Sequence, residues 1–326
     1  MKYAIVGCGL IGNKRAKYLP SLEFACDINY KASRKLAAEF KNCEAVPNIN
    51  AIIRSDVDVV FVSVANFSLY PVAIELIKAG KHVLLEKPGA TNSHELSLLK
   101  TAADKSGSLV RIGYNHRYHR AFLKMRELIK STNFGDFMFL RARYGHGGRL
   151  GYDKEWRANP MLSGGGELID QGVHLIDLSQ LFLENFDRID GHVDTYFWNM
   201  PVDDNAFFSL KNKKGNMAWL HASCTEWKNT FSFEVYGKNA KFHWEGLGGS
   251  YGIERLTHYQ MLPEMGPPQT TVYEFPFEDN SWQIEMNEFI DDINLKRTPV
   301  PGLDEGIVTL QTVERIYDNC KITTAN

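Results

Sequence analysis

The sequence predicts an α/β chain of two domains. A doubly wound parallel sheet comes first, and an α+β domain built on a large, mainly antiparallel open sheet follows. Three observations predict this. Short apolar runs alternate with helical patterns through the first third, which implies a parallel sheet with helices on both faces. Near residue 120 the texture changes to long alternating segments separated by turn signals. The length of 326 residues at 44% hydrophobic content exceeds the needs of one such domain and supplies two cores. The predicted division is 1–119 and 120–326.

In the first domain the strands expected are Tyr3–Val6, 22–26, 57–64, 83–85 and 109–113. The run 57–64 (VDVVFVSV) holds five valines in eight residues, as suits a strand buried on both faces. Helices are expected over 10–19, stopped by Pro20, and over 32–40, 71–79 and 93–105, with Gly80 as a C-terminal stop. The second domain opens on a helix, Arg120–Ser131. Alternating segments follow at 137–144, 188–198, 206–210, 217–223, 230–236 and 240–244. Lys211 to Asn216 and Gly237-Lys238-Asn239 read as hairpin turns. The Pro-rich stretch 262–271 reads as a loop, and a final helix over about 304–319 closes the chain.

Bulk composition excludes several classes. The formal charge is −2, with no broad basic field for nucleic acid or an anionic membrane. Five cysteines, an odd number without a C-x-x-C pair, read as free thiols in a reducing compartment. The opening apolar run is too short for a signal peptide, and no stretch approaches a spanning helix. These features predict a cytoplasmic protein acting on a small molecule.

Gly7, Gly9 and Gly12 form G-x-G-x-x-G between the first strand and the first helix. Gly7 permits the tight turn, Gly9 lets the backbone approach a pyrophosphate, and Gly12 lets helix and strand pack closely. Leu10 and Ile11 lie between them at the helix N-terminus, whose N–H groups face phosphate. Asp27 follows Gly7 by 20 residues, after the second strand, where its carboxylate can hold ribose hydroxyls. An acid there favours NAD over NADP, since it repels a 2′-phosphate. Lys31 and Arg34 either tolerate NADP or form a solvated helix face.

Two further segments carry chemistry. Glu86-Lys87-Pro88 ends the strand 83–85, and ligands of open α/β sheets bind beyond the carboxyl ends of strands. A lysine ammonium near a reacting oxygen stabilises negative charge or relays a proton. Pro88 fixes the backbone there, with a cis bond as one option. In Gly164-Gly165-Gly166-Glu167-Leu168-Ile169-Asp170-Gln171-Gly172-Val173-His174, Asp170 and His174 share one face of a helix. A histidine oriented by a carboxylate suits alcohol oxidation, where a base takes the hydroxyl proton. The same spacing also fits a helix acid beside a core histidine. Glu167, Asp170, His174 and Asp177 form one helical stripe, but one helix rarely supplies a full metal shell, and His116/His119 offers no matching cluster. No metal is expected.

These residues resemble the glucose–fructose oxidoreductase / inositol dehydrogenase / MocA family over nearly the whole length. The likeness rests on AIVGCGLIG, AGKHVLLEKP, GYNHRY at 113–118 and WRANPMLSGGGELIDQGVHLID at 156–177. It implies an NAD(P)-binding Rossmann domain, a second domain whose sheet forms a dimer or tetramer interface, and a last helix packed back on the first domain. It implies that Lys87, Asp170 and His174 form the catalytic group. It further implies that Glu86 and Pro88 stand with Lys87 beside the nicotinamide and that Asn115 and Arg117 line the cofactor–substrate junction. Asn66 keeps its family position, while Ala65 departs from a usual proline and Leu69 or Tyr70 from a usual histidine.

The segment 143–157, with Met261 to Pro268, is similar to members that act on nucleotide-linked sugars in bacterial surface-polysaccharide synthesis. Arg149, Lys154 and Arg157 suit a diphosphate, and Tyr144, Tyr152 and Trp156 suit a base or sugar ring. An ordinary solvated loop is the other reading. The expectation is therefore hydride transfer at a sugar carbon, with a nucleotide-linked sugar favoured. Free sugar, polyol or inositol dehydrogenases, an NAD-dependent glycosidase and a non-catalytic dinucleotide sensor are the alternatives.

Overall fold

The computed structural model describes residues 1–323. The chain separates into two compact units. The first is Met1–Tyr114 with Met161–Gly164 and Trp282–Gln311. The second is Asn115–Pro160 with Gly165–Ser281 and the chain from Thr312. The long break therefore falls at Tyr114, before the motif residues Asn115 to Tyr118, and not after His119. Among the described residues no helix is long and apolar enough to cross a membrane.

The first unit runs β1 (Tyr3–Val6), α1 (Leu10–Ala16), β2 (Phe24–Cys26), α2 (Tyr30–Ala37), β3 (Glu44–Val46), α3 (Asn50–Arg54), β4 (Val59–Val62), α4 (Asn66–Lys78), β5 (His82–Glu86), α5 (Ser93–Ser106) and β6 (Val110–Gly113). The strands form one parallel sheet ordered β3-β2-β1-β4-β5-β6. The strand order reverses between β1 and β4, which opens a crevice there. Each residue of β4 is wholly buried, so each valine or phenylalanine contributes about 1.5–3 kcal/mol.

The second unit runs α6 (Arg120–Ser131), β7 (Phe137–Gly145), α8 (Val173–Leu183), β8 (Arg188–Asp194), β9 (Asn205–Lys211), β10 (Met217–Ser223), β11 (Thr230–Gly237), β12 (Ala240–Glu245), β13 (Glu254–Gln260) and β14 (Gln269–Phe275); the short α7 (Pro160–Ser163), between β7 and α8 in the chain, clusters from Met161 onward with the first unit. The strands form an eight-stranded sheet ordered β14-β13-β12-β11-β7-β10-β9-β8. All neighbours are antiparallel except β7 and β10. Alternation is clean. Leu140, Ala142, Phe208, Leu220, Phe233 and Trp244 are buried on one face, and Phe139, Phe207 and Trp219 stand exposed on the other.

Helices α9 (Ser281–Leu295) and α10 (Leu303–Thr323) end the chain. Met286 and Phe289 of α9 join Ile5, Leu19 and Phe61 in the first unit's core. Residues of α10 up to Gln311 cluster with the first unit and those from Thr312 with the second.

Several elements depart from the sequence reading. The strand expected over 188–198 stops at Asp194, because the N–H groups of Tyr196, Phe197 and Trp198 turn to the Asp204 carboxylate at 2.9, 2.7 and 2.9 Å. The helix expected over 10–19 ends at Ala16, where Tyr18 and Leu19 tighten into i−3 bonds. Helix α4 starts five residues before Pro71 and carries that proline inside it. The loop expected over 262–271 gives way to β14 from Gln269. Elements β3, α3, β13 and α9 had not been expected.

Candidate active site

The first unit presents a cofactor cradle. Gly7 adopts φ +93°, a conformation natural to glycine, and a Cβ there would lie 2.2 Å from the Ser63 carbonyl oxygen. A Cβ on Gly12 would lie 1.9 Å from the Gly7 oxygen. At Gly9 an added Cβ meets nothing within 4 Å. Two glycines thus serve packing, and the middle one borders open space, as a backbone approached by a pyrophosphate requires. A cavity of about 420 Å³ lies at the switch point, lined among others by Gly7, Gly9, Asp27, Ile28, Ser63 and Phe67. The residues fit a dinucleotide. Asp27 sits on this cavity, with Oδ2 accepting the Cys8 N–H at 2.7 Å and Oδ1 the Asn29 N–H at 2.7 Å, so the carboxylate also braces the glycine turn. Leu10 is 75% exposed at the start of α1, and Ile11 is half-buried.

Lys87 follows the last residue of β5, half-buried, and its bond to Pro88 is cis. Glu86 is turned inward, where its Oε1 accepts Arg15 Nε at 2.7 Å. Arg15 is wholly buried and also reaches Glu285 at 2.8 Å. Burial and the neighbouring Glu86 charge push Glu285 up to about 7, against the pull of Arg15. Asn66 is buried, its Nδ2 donating to the Ser163 carbonyl at 2.9 Å.

The second unit carries the other candidates. A π-helical turn, Leu168–Gly172, leads into α8, so Asp170 and His174 sit on consecutive turns of one helical run. The glycines before it are required by packing. A Cβ on Gly165 would lie 2.3 Å from the Tyr317 hydroxyl, and one on Gly166 would lie 2.0 Å from the Asp203 oxygen. Asp203 takes the N–H of Gly166 at 3.0 Å, the N–H of Leu168 at 2.8 Å and the Tyr317 hydroxyl at 2.8 Å. Burial still pushes this carboxyl up to about 6.

Asp170 accepts Arg157 Nε at 3.1 Å. Arg157 lies over the Trp156 ring at 4.5 Å and reaches Glu155 at 3.5 Å. Arg149 also pairs with Glu155, at 2.6 Å, and lies 5.6 Å over the Tyr152 ring. Both arginines expected for a diphosphate therefore already face a carboxylate. Lys154 is exposed. Tyr152 is buried, with its hydroxyl 3.4 Å from Glu167 and its ring against His146 and Trp198.

His174 is 4% exposed, and its ring stacks on His116 at 3.9 Å and 21°. Tyr144 stands beside both, and burial with its neighbour Tyr251 raises it well above the ordinary tyrosine value. Asn115 Nδ2 donates to Ser281 Oγ at 2.9 Å. Arg117 holds Asp177 with two bonds, of 2.8 and 2.7 Å.

Sequence reasoning passed over His116 as anything but half of a metal pair, and over His146, Asp203 and Tyr251. His146 Nε2 lies 3.3 Å from the buried Glu167. Against the cost of burial, that carboxylate raises the histidine. The Gly148 N–H, donating to Nδ1 at 3.0 Å, holds the ring in its Nε2–H form against that pull. A histidine in a Gly-rich basic stretch was a visible signal. The partners of Asp203 and His116 were not, since they lie far off in sequence.

Residues 1–114 match the oxidoreductase family with an NAD-binding Rossmann fold, and residues 122–243 match the GFO/IDH/MocA C-terminal domain. The chain belongs to the GFO/IDH/MocA oxidoreductase family. It is 24% identical to the NADP⁺-dependent scyllo-inositol 2-dehydrogenase of Bacillus subtilis, over 97% of this chain and 83% of that one. It is 23% identical to the D-glucoside 3-dehydrogenase of Escherichia coli, over 99% and 96%. Among solved structures, the UDP-N-acetylglucosamine 3-dehydrogenase of Acidithiobacillus ferrooxidans shares the fold with a TM-score of 0.80 at 19% identity, over 97% of this chain and 96% of that one. This family member is thus an oxidoreductase with a dinucleotide-binding Rossmann domain.

Proposed function

We propose that the chain interconverts a secondary alcohol and a ketone on the ring of a sugar or cyclitol. The observation that carries the reading is Asp170 held by Arg157 one turn before the buried His174. In the oxidising direction His174 takes the hydroxyl proton, and it returns one in reduction. Asp170 orients the histidine, and Lys87, at the end of β5, stabilises charge on the reacting oxygen. Bound nicotinamide supplies the hydride acceptor or donor. The glycine turn and Asp27 hold its adenosine half, and Asn66, Pro88, Asn115 and Arg117 shape the remainder.

NAD is the favoured cofactor. Asp27 repels a 2′-phosphate, and the next residue, Ile28, is 97% exposed and offers it no charge. The pairing of Arg149 and Arg157 with Glu155 favours an uncharged ring over one carrying a diphosphate. A nucleotide-linked sugar is the second reading, favoured by the exposed Arg149 head and by the likeness to the UDP-sugar enzyme. The exposed sheet face bearing Phe139, Phe207 and Trp219 (59% exposed) favours a homo-oligomer joined through it. We place the protein in the cytoplasm.

The test is reduced-nicotinamide absorbance with NAD⁺ or NADP⁺ against inositols, aldoses, glycosides and nucleotide-linked sugars. Turnover with a free ring supports the first reading, and turnover confined to nucleotide sugars replaces it with the second. His174→Ala is expected to keep cofactor affinity and lose most turnover. Near wild-type turnover in that variant removes His174 from the mechanism. Silence across a panel that still binds cofactor moves the reading to a sensor, and release of free sugar without net redox change moves it to a glycosidase.

A further inference from the structure

We infer that His116 is a positioning residue for His174. The inference rests on the reading of His174 as the acid–base group. His116 belongs to the short 3₁₀ turn Asn115–Tyr118 and is 4% exposed. Its ring lies 3.9 Å from that of His174 and within 21° of parallel, so the two planes are stacked.

The remaining edges of His116 are walled. His119 meets it at 5.5 Å and 76°, Phe231 at 5.6 Å and 78°, and Tyr144 at 5.0 Å. Trp244 closes the set at 6.4 Å. These rings restrict how far the His116 ring can swing from His174. The next residue, Arg117, grips Asp177, which lies three residues beyond His174 on α8. Two successive residues of one turn thus fasten it to the same helix, one by a stack and one by an ion pair.

The chemistry follows from the spacing. A neutral imidazole stacks on a neutral or a protonated partner. Two imidazolium rings this close repel strongly in a dry pocket, so the pair carries one charge at most. When His174 takes the substrate proton, His116 stays neutral and keeps the ring plane fixed.

Other titratable groups lie close to this pair. Tyr144 from β7 is kept un-ionised by burial and by Tyr251. Asp170 and Asp177 lie on the helical run of His174 itself, held by Arg157 and Arg117. His119, beyond His116, pairs with Glu254 of β13 at 3.2 Å. Removing the His116 ring admits water and removes a competing site for positive charge. Both changes favour the protonated form of His174.

The test uses the full chain with bound NAD⁺, comparing wild type, His116→Ala, His116→Phe and His174→Ala. Nitrogen-15 NMR of the histidine rings reads the titration of His174 directly. In His116→Phe, a flat ring that does not titrate, the His174 midpoint is expected to rise by about half a pH unit or more. With whichever sugar of the panel turns over, His116→Ala is expected to lower kcat by about tenfold to a hundredfold, KM staying within about twofold. His116→Phe, which restores the plane, is expected to recover most of kcat while its acid limb moves to higher pH.

An unmoved His174 midpoint in a folded His116→Phe variant overturns the inference. So does a His116→Ala variant with wild-type kcat, and either result leaves the reading of His174 intact. An active His174→Ala variant removes the premise and fails both. Should His116→Ala not fold, the Phe variant decides through its midpoint alone.

Discussion

Asp177→Asn takes the carboxylate from a deeply buried ion pair, and its cost follows from the geometry. The Arg117 side chain is 5% exposed and that of Asp177 is 1% exposed, and the fork is bidentate at 2.8 and 2.7 Å. Breaking such a pair by removing one partner strands a charge in a medium that solvates it poorly, at about 3–5 kcal/mol. Asparagine accepts one of the two bonds but neutralises nothing, and its amide hydrogens confront the guanidinium. For a unit of this size each kcal/mol lowers Tm by roughly 2–4 °C, so a fall of about 6–20 °C is expected.

Calorimetry, with urea unfolding followed by fluorescence, measures the loss. The double variant Arg117→Met with Asp177→Leu, which removes both charges, is expected to recover most of it. A single-variant loss under about 1 kcal/mol would falsify the reasoning, because it would mean that the guanidinium finds solvation without Asp177. Equal losses in the single and double variants would assign the cost to packing and not to charge.

Three further outcomes are expected. Gly9→Ala should leave Tm within about 1 °C, since its Cβ enters open space, yet weaken NAD⁺ binding at least tenfold, whereas Gly12→Ala should cost about 1–3 kcal/mol through the 1.9 Å clash with Gly7; calorimetry and NAD⁺ titration separate the two. Glu234 works against its own burial, because Arg141, Tyr236, Lys241 and His243 pull it down to about 2. Its contribution is complete above the unfolded carboxyl range near 4.5 and is lost as pH falls toward 2, so Glu234→Gln should flatten the acid limb of stability by about 1 kcal/mol after allowance for solvent screening. Urea midpoints that keep the same slope between pH 5 and 3 in both proteins would refute that. If the proposed homo-oligomer joins through the exposed sheet face, Trp219→Glu lowers the mass in light scattering toward that of a monomer; an unchanged mass refutes an interface on that face.

The sequence reading succeeded where a local pattern and a buried role coincide. The glycine turn sits between β1 and α1 because its residues are neighbours in the chain, and β4 is apolar at every position because both faces are covered. Helix α6 and strand β10 took the bounds their periodicity implied. It failed where tertiary partners override the pattern. Strand β3 is three residues long, with only Val46 buried. Strand β14, at the sheet edge, has no fully buried residue, so it carries no alternation to detect. Helix α9 did show apolar residues at helical spacing, at 282, 286, 289, 290 and 293. Its buried face also holds Glu285 and Asp292, which serve Arg15 and Arg111. Two acids on an inner face erase the contrast on which such a reading depends.

The same distinction governs the site. Several residues of the motifs carry more than the motif implies. Glu86 belongs to a lysine-bearing signature, and its carboxylate is committed to the buried Arg15. Arg117 belongs to another, and it is committed to Asp177. Gly165 and Gly166 precede the candidate acid–base helix, and they admit Tyr317 and Asp203 against the backbone. Each is a support whose partner lies at least 60 residues away in sequence, except the Gly166–Asp203 pair at 37. A signature therefore also marks groups that hold the local fold, and only the packing reveals which they are. His116 shows the converse. It lies inside the signature, yet its stack on His174 spans 58 residues, and no spacing rule predicts two parallel imidazoles. The Arg149–Glu155–Arg157 set shows a third case, in which charges that suggest a ligand when counted along the chain are matched within the fold. Whether a basic residue is available to a substrate is decided by which carboxylate reaches it first, and here Glu155 and Asp170 do.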